Sequence, residues 1–176
     1  MSWFQRAITL VCLAALGGCT GFYRSPEGPI GEGHRPTLEA VWAEETAGFS
    51  NLWRIYIRAS DPDGDLDKVW VTFRRFGGTY PGTFVMLSQP QGAANGYIRL
   101  WVRPRGATDT VELPIHAAAE ISVGDRAGNQ SLTRVISFTI AHGPVPEGSV
   151  PPAGFARDNM LAEMNMENLD LRQGKG

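Results

Sequence analysis

The sequence predicts an all-β domain, an antiparallel sandwich of about seven short strands. Three observations carry this expectation. Between Pro36 and Ala141, apolar residues recur at every second position, the period of a strand with one face buried. β-Branched and aromatic residues concentrate in those runs. Clusters of Gly, Pro, Asp and Asn separate them, the punctuation of a chain that reverses direction often.

The elements follow in order. A weakly patterned first strand is expected over Leu38–Glu44. Leu52–Ala59 alternates strictly, with Trp53, Ile55, Ile57 and Ala59 on one face and Arg54, Tyr56 and Arg58 on the other. Lys68–Arg74 sets Val69, Val71 and Phe73 against Trp70, Thr72 and Arg74. Thr83–Leu87 and Ala118–Val123 are weaker candidates. Tyr97–Arg103 places Ile98, Leu100 and Val102 opposite Arg99 and Trp101, and Leu132–Ile140 puts Ile136, Phe138 and Ile140 together. Turns are expected at Asp61–Asp65, Phe76–Gly82, Gln89–Gly96 and Gly124–Asn129. This spacing suits an immunoglobulin-like antiparallel sandwich, large enough to bury a core unaided.

Two stretches sharpen the expectation. SDPDGDLDKVWV (60–71) and ISVGDRAGNQS (121–131) resemble loop regions of the immunoglobulin-like, fibronectin-like and cadherin-like modules of bacterial surface proteins. The resemblance implies that they form the B–C and F–G loops, which share one pole of the sandwich. The disulfide and tyrosine corner of antibody domains are absent.

The segments flanking this domain, taken as residues 36–141, read differently. Residues 1–18 have one charge, Arg6, then an apolar run from Ala7 to Leu16 and the small pair Gly17-Gly18. That is a signal-peptide pattern, and the run falls short of the roughly 20 apolar residues a bilayer span needs. Leu16-Gly17-Gly18-Cys19 resembles the lipobox of bacterial lipoproteins. The resemblance implies cleavage before Cys19, acylation of its sulfur and new N-terminus (palmitate among the chains), and attachment to a membrane through lipid. Thr20, in place of Asp, implies outer-membrane sorting in a two-membrane cell, facing the periplasm or the surface. Residues 19–35 read as the lipidated Cys and a flexible linker. Residues 142–176 read as a Pro-rich spacer and a tail, partly disordered or weakly helical over Phe155–Met164.

Composition excludes some functions. The formal charge is −2, with no basic stripe, which is not the profile of a nucleic-acid binder. The two cysteines, Cys12 and Cys19, both lie at the N-terminus, so the domain folds without a disulfide framework. His34, His116 and His142 lack a Ser, Cys or second His at triad or ligand spacing, and no H-E-x-x-H, G-x-S-x-G or P-loop occurs. The chain is expected not to be an enzyme.

Two candidate sites remain. Asp61, Asp63, Asp65 and Asp67 fall at alternate positions of one loop, and a shared pole would bring Asp125 beside them. Calcium takes six to eight hard oxygens from such loops. The spacing is not that of an EF-hand, since Gly64 is fourth and no Glu follows at position twelve. Turn chemistry, with Asp side chains accepting nearby backbone N–H groups, explains the same residues, and Arg126 could pair with an aspartate. The second candidate is a partner-binding face of Arg54, Tyr56, Arg58, Arg99 and Trp101, with Trp70 and Tyr97 also directed outward. Tyr56 and Arg58 are expected to face Arg99 and Trp101. Arg and aromatics are enriched at interfaces, and they also make ordinary cross-strand pairs. Together these features suggest a lipid-anchored, non-enzymatic envelope module that contacts another protein. The alternative is a carbohydrate-binding or enzyme-accessory lipoprotein with possible calcium binding.

Overall fold

A computed structural model of the chain describes residues 31–48, 52–75, 78–79, 83–102, 114–141 and 150–165. The signal segment, Cys19 and the linker up to residue 30 lie outside the described residues, as do residues 142–149 and 166–176. Ten strands form among the described residues: β1 (Thr37–Ala43), β2 (Thr46–Gly48), β3 (Leu52–Ser60), β4 (Leu66–Arg75), β5 (Gly78–Thr79), β6 (Thr83–Gln91), β7 (Ala93–Trp101), β8 (Ile115–Asp125), β9 (Arg134–Ala141) and β10 (Met160–Asn165).

They make two facing sheets. One has the order β1-β3-β7-β10; the other has the order β2-β9-β8-β4-β5, with β6 also paired to β4. Placing β1, β3 and β7 in one layer and β4, β8 and β9 in the other is the A-B-E and C-F-G division of an immunoglobulin-like sandwich. The apolar rows read from the sequence line the space between the layers. Trp53, Ile55, Ile57 and Ala59 from β3 and Ile98 and Leu100 from β7 meet Val69, Val71 and Phe73 from β4, Ile121 and Val123 from β8, and Phe138 and Ile140 from β9. Among the described residues Trp53 is the largest fully buried side chain. It stacks on Phe138 across the layers at 4.3 Å between ring centroids. Its indole N–H donates to the Glu44 carbonyl at 2.9 Å, so the one polar atom of this core residue is satisfied.

Four expectations need correction. The turn expected over Gln89–Gly96 shrinks to Gly92, because β3 pairs with β7 as far as Ser60↔Ala93 and Asp61 N–H donates to the Gly92 carbonyl at 2.8 Å. Tertiary pairing there overrides a polar, glycine-containing local sequence. The Phe76–Gly82 turn contains the short strand β5, paired with Arg74 and Arg75. The sandwich is not wholly antiparallel, since β2 runs parallel to β9 and β10 parallel to β7. The tail expected to be weakly helical over Phe155–Met164 forms a turn at Ala153-Gly154 and then strand β10. The open edge of β7 offers unpaired backbone groups, and Leu161 turns into the core. Gly96 is required for this docking. A Cβ at that position would press into the Asn159 carbonyl oxygen and stand 3.0 Å from Leu161 Cγ.

The two tryptophans of opposite faces give a direct test of register. Trp53→Ala is expected to remove about 3–5 kcal/mol of stability, the loss for truncating a core aromatic. Trp101→Ala, at 41% exposure and with one hydrogen bond to lose, is expected to remove on the order of 1 kcal/mol. Urea unfolding monitored by far-UV circular dichroism separates the two, and equal losses would contradict the register.

Candidate metal centre

The pole is built by two turns. At the end of β3 the chain bends through Pro62, Asp63 and Gly64, with Gly64 N–H donating to the Asp61 carbonyl at 3.2 Å. Gly64 has a φ of 80°, in the left-handed region that favours glycine. The Asp65 N–H donates to Asp61 Oδ2 at 2.9 Å. This much is the turn chemistry read from the sequence. The second turn follows β8. Asp125 Oδ1 accepts the Asn129 N–H at 2.7 Å, and Oδ2 accepts the Asn129 side-chain amide at 2.8 Å. The ladder between β4 and β8 reaches the register pair Leu66↔Asp125, and Arg126 N–H donates to the Asp65 carbonyl at 3.2 Å. Those links hold the two turns against each other.

The result is a cluster of three carboxylates. Asp61, Asp65 and Asp125 each present an oxygen within 4.8 Å of the other two. Asp125 is fully buried and Asp61 is 4% exposed, while Asp65 is half-buried. Asp61 Oδ1 and Asp65 Oδ1 are shielded from solvent and have no hydrogen-bond partner. Asn129 Oδ1, in a residue 3% exposed, is in the same position. Among the described residues no cationic side chain pairs with any of the three aspartates. Among the described residues Arg126 is exposed and makes no ion pair, Lys68 Nζ lies 3.3 Å from Asp67 Oδ1, and His34 Nδ1 lies 2.8 Å from Asp63 Oδ1. Like charges in a dry site repel strongly, and a buried carboxylate oxygen without a partner is costly. Asp65 responds by holding its proton above the ordinary carboxylate range. Burial is the main cause, followed by the adjoining Asp61 carboxylate and by the charges of Asp125, Asp61 and Asp63. Either a proton or a cation relieves this arrangement.

The five aspartates therefore divide. Asp61, Asp65 and Asp125 come together. Asp63, at the tip, turns away and accepts both the backbone N–H and the ring nitrogen of His34. That pairing lowers the Asp63 pKa and raises that of His34. Asp67 is buried beside Lys68. Asn129 was not foreseen, although an Asn four residues after an Asp in a tight turn is placed to cap it. Nor was the lead-in, residues 31–36. It lies across the pole, with Glu32 carbonyl accepting the Asn129 amide at 3.4 Å and Gly31 so close to Ala127 that a Cβ would not fit. A cleft of about 250 Å³ adjoins the cluster, lined by Lys68, Trp70, Gly124, Asp125, Asn129 and Gln130 among others.

The face expected to bind a partner is partly occupied by the chain itself. Tyr56 is 3% exposed rather than outward in solvent. Its ring lies 5.6 Å from Trp42, 5.4 Å from Tyr97 and 6.2 Å from Phe155. The register sets Tyr56 opposite Tyr97, Arg54 opposite Arg99 and Arg58 opposite Asn95, not Tyr56 and Arg58 opposite Arg99 and Trp101. Arg54 stands 5.2 Å from the Tyr97 ring centroid, and Arg58 Nε donates to Glu39 at 2.8 Å. Arg99 Nε and Trp101 Nε1 both donate to the Glu163 carboxylate of β10 at 2.8 Å. Trp70 is half-buried against Phe84 at 4.7 Å.

A scan against protein-family models finds no match, and a search of curated proteins finds none either. Among solved structures, the chain is similar to the CARDB domain of the PF1109 protein from Pyrococcus furiosus, solved in complex with di-metal ions. The identity is 14%, the TM-score is 0.29, and the match covers 66% of this chain and 94% of that one.

The charge crowding at Asp65 has a measurable sign. Its pKa is raised on folding, so its stabilising contribution is full at low pH and lost as pH rises through the folded value. In chelator, Asp65→Asn removes that burden and is expected to raise the melting temperature at pH 7. The advantage should shrink as the pH falls into the ordinary carboxylate range, where the wild-type side chain takes up its proton. With calcium the ranking should reverse. Calorimetry of both chains across pH, with and without chelator, checks it; a destabilised Asp65→Asn chain in chelator at pH 7 would contradict the crowding.

Proposed function

We propose that the protein is a lipid-anchored, non-enzymatic β-sandwich module of the cell envelope that binds one calcium ion at its loop pole and holds or contacts another envelope protein. The observation that carries the metal reading is the set of three converging carboxylates without a countercharge among the described residues. The donors are all oxygens, which favours a hard cation over zinc or copper. Their irregular loop setting suits calcium better than magnesium, which demands near-octahedral geometry and keeps its waters. Carboxylates of Asp61, Asp65 and Asp125 would hold the ion, with the Asn129 amide oxygen close by. A cation there neutralises the pole and stiffens the joint between the lead-in and the two turns. The anchor reading is supported by Leu16-Gly17-Gly18-Cys19 after an apolar run. The non-enzymatic reading is supported by the sequence around His34, His116 and His142, which offers no Ser, Cys or second His at triad or ligand spacing.

One observation favours the carbohydrate-binding alternative. The cleft beside the cluster has a tryptophan wall and two side-chain amides, Trp70 with Asn129 and Gln130. Small-ligand sites combine an apolar wall with a few polar groups in this way. Retention on a glycan column that Trp70→Ala abolishes would support that reading; recovery of one envelope protein with the membrane-extracted chain would support the first.

Two measurements test the main proposal independently. Cys19→Ala is expected to leave an uncleaved precursor without lipid, and unchanged processing and membrane attachment would overturn the anchor. For the metal, calcium at about a hundredfold excess over its dissociation constant should add about 2.7 kcal/mol. In a domain of this size that is on the order of 10 °C in melting temperature. Asp61→Asn combined with Asp65→Asn should abolish the gain, magnesium should give little of it, and an unchanged midpoint with calcium would overturn the site.

A further inference from the structure

The lead-in, residues 31–36, is held by both turns of the pole at once. On the Asp61–Asp65 turn, the His34 backbone N–H donates to Asp63 Oδ2 and the ring Nδ1 lies 2.8 Å from Asp63 Oδ1. On the Asp125–Asn129 turn, the Asn129 side-chain amide donates to the Glu32 carbonyl at 3.4 Å. The backbone is cut to fit both turns. A Cβ on Gly31 would press into the Ala127 carbonyl, and one on Gly33 would press into the Asp63 carboxylate. Gly33 also has a φ of 102°, in the left-handed region that favours glycine. Glu32, His34 and Arg35 are all exposed, and the first buried side chain is Pro36. Apolar burial therefore contributes little to the placing of residues 31–35, and the shape of the two turns decides it.

Those turns are the ones that carry the carboxylates. Asp63 lies between Asp61 and Asp65 in the chain. Asn129, whose amide reaches Glu32, also engages both oxygens of Asp125 through its backbone N–H and its side-chain amide. Its own Oδ1 is shielded and without a partner, as are Asp61 Oδ1 and Asp65 Oδ1. A cation shared by Asp61, Asp65 and Asp125 fixes the spacing of the two turns, and that spacing is what the lead-in spans between Asp63 and Ala127. Conversely, a docked lead-in holds the turns in place before the ion arrives, which lowers the cost of organising the ligands. We infer, resting on the calcium reading of this pole, that the lead-in is a third part of the metal site, a clip across its two turns that calcium locks and that in return tightens calcium binding. The coupling is reciprocal by thermodynamic necessity: whatever factor the clip adds to calcium affinity, calcium adds to the docking of the clip. Occupancy of the site thereby sets the direction in which the chain enters β1.

The test uses the full chain at constant pH, with calcium as the probe. Gly31→Val and Gly33→Val each open the clip without altering any charge or any carboxylate. Titration calorimetry measures calcium affinity, and hydrogen–deuterium exchange measures opening of the His34 backbone N–H. Each variant is expected to weaken calcium binding by about tenfold, within the usual range of coupling between sites. In the unaltered chain, calcium should slow exchange at His34 by a similar factor, a measurement that needs no variant to fold. Asp61→Asn combined with Asp65→Asn should remove that slowing. Calcium affinity unchanged in both glycine variants, or His34 exchange indifferent to calcium, would overturn the inference while calcium uptake by the unaltered chain leaves the metal reading standing. Absence of calcium uptake by the unaltered chain would overturn the metal reading, and the clip with it.

Discussion

The ladder between β4 and β8 runs from Arg75↔Ala117 to Leu66↔Asp125. The core and the pole both depend on it. Along its length it sets Val69, Val71 and Phe73 beside Ile121, Val123 and Ala119, all buried between the layers. At its last register pair it delivers Asp125 to the foot of the Asp61–Asp65 turn. The backbone has little freedom to relieve the repulsion that results, because moving Asp125 away would unpair strands that bury the centre of the domain. Charge crowding is thus maintained by apolar burial, each buried aliphatic side chain contributing about 1.5–3 kcal/mol.

The part of the fold that the sequence displayed is the part whose stability is local in pattern. Trp53, Ile55, Ile57 and Ala59 announce their strand because one face is dry and the other wet. The shared pole was also readable, through the likeness of two loop segments to known modules. Strand β10 was not, because what makes it a strand is an edge more than fifty residues earlier in the chain. Nor was the extension of β7 back to Ala93, since Asn95 and Gly96 look like a turn until their partners, Gly154 and Asn159, are in place. Tyr56 alternates with core residues as an outward residue should, yet it is covered by Phe155, which leads into that same unforeseen strand.

The acidic loop teaches a related point. Even spacing left open both a shared site for four aspartates and plain turn chemistry, and a tight turn points successive side chains in different directions. Asp61 and Asp65 flank the bend and converge because the Asp65 N–H binds the Asp61 carboxylate. Asp63 sits at the tip and is drawn off by His34. The third member of the cluster came from another strand. Spacing along a loop counts the ligands available, and only the pairing of strands selects among them.

The lead-in and β10 also leave the sandwich in opposite directions. Residues 31–36 lie at the loop pole, where β1 begins, whereas β10 runs with β7 and ends beside Trp101 at the far pole. β1 and β10 are the two outer strands of one sheet. Tension applied between the lead-in and the end of β10 would act along the strands, loading the rungs of each outer ladder in shear together instead of peeling them apart one at a time. The sheet is in this respect built as a tie-rod between whatever holds its two ends.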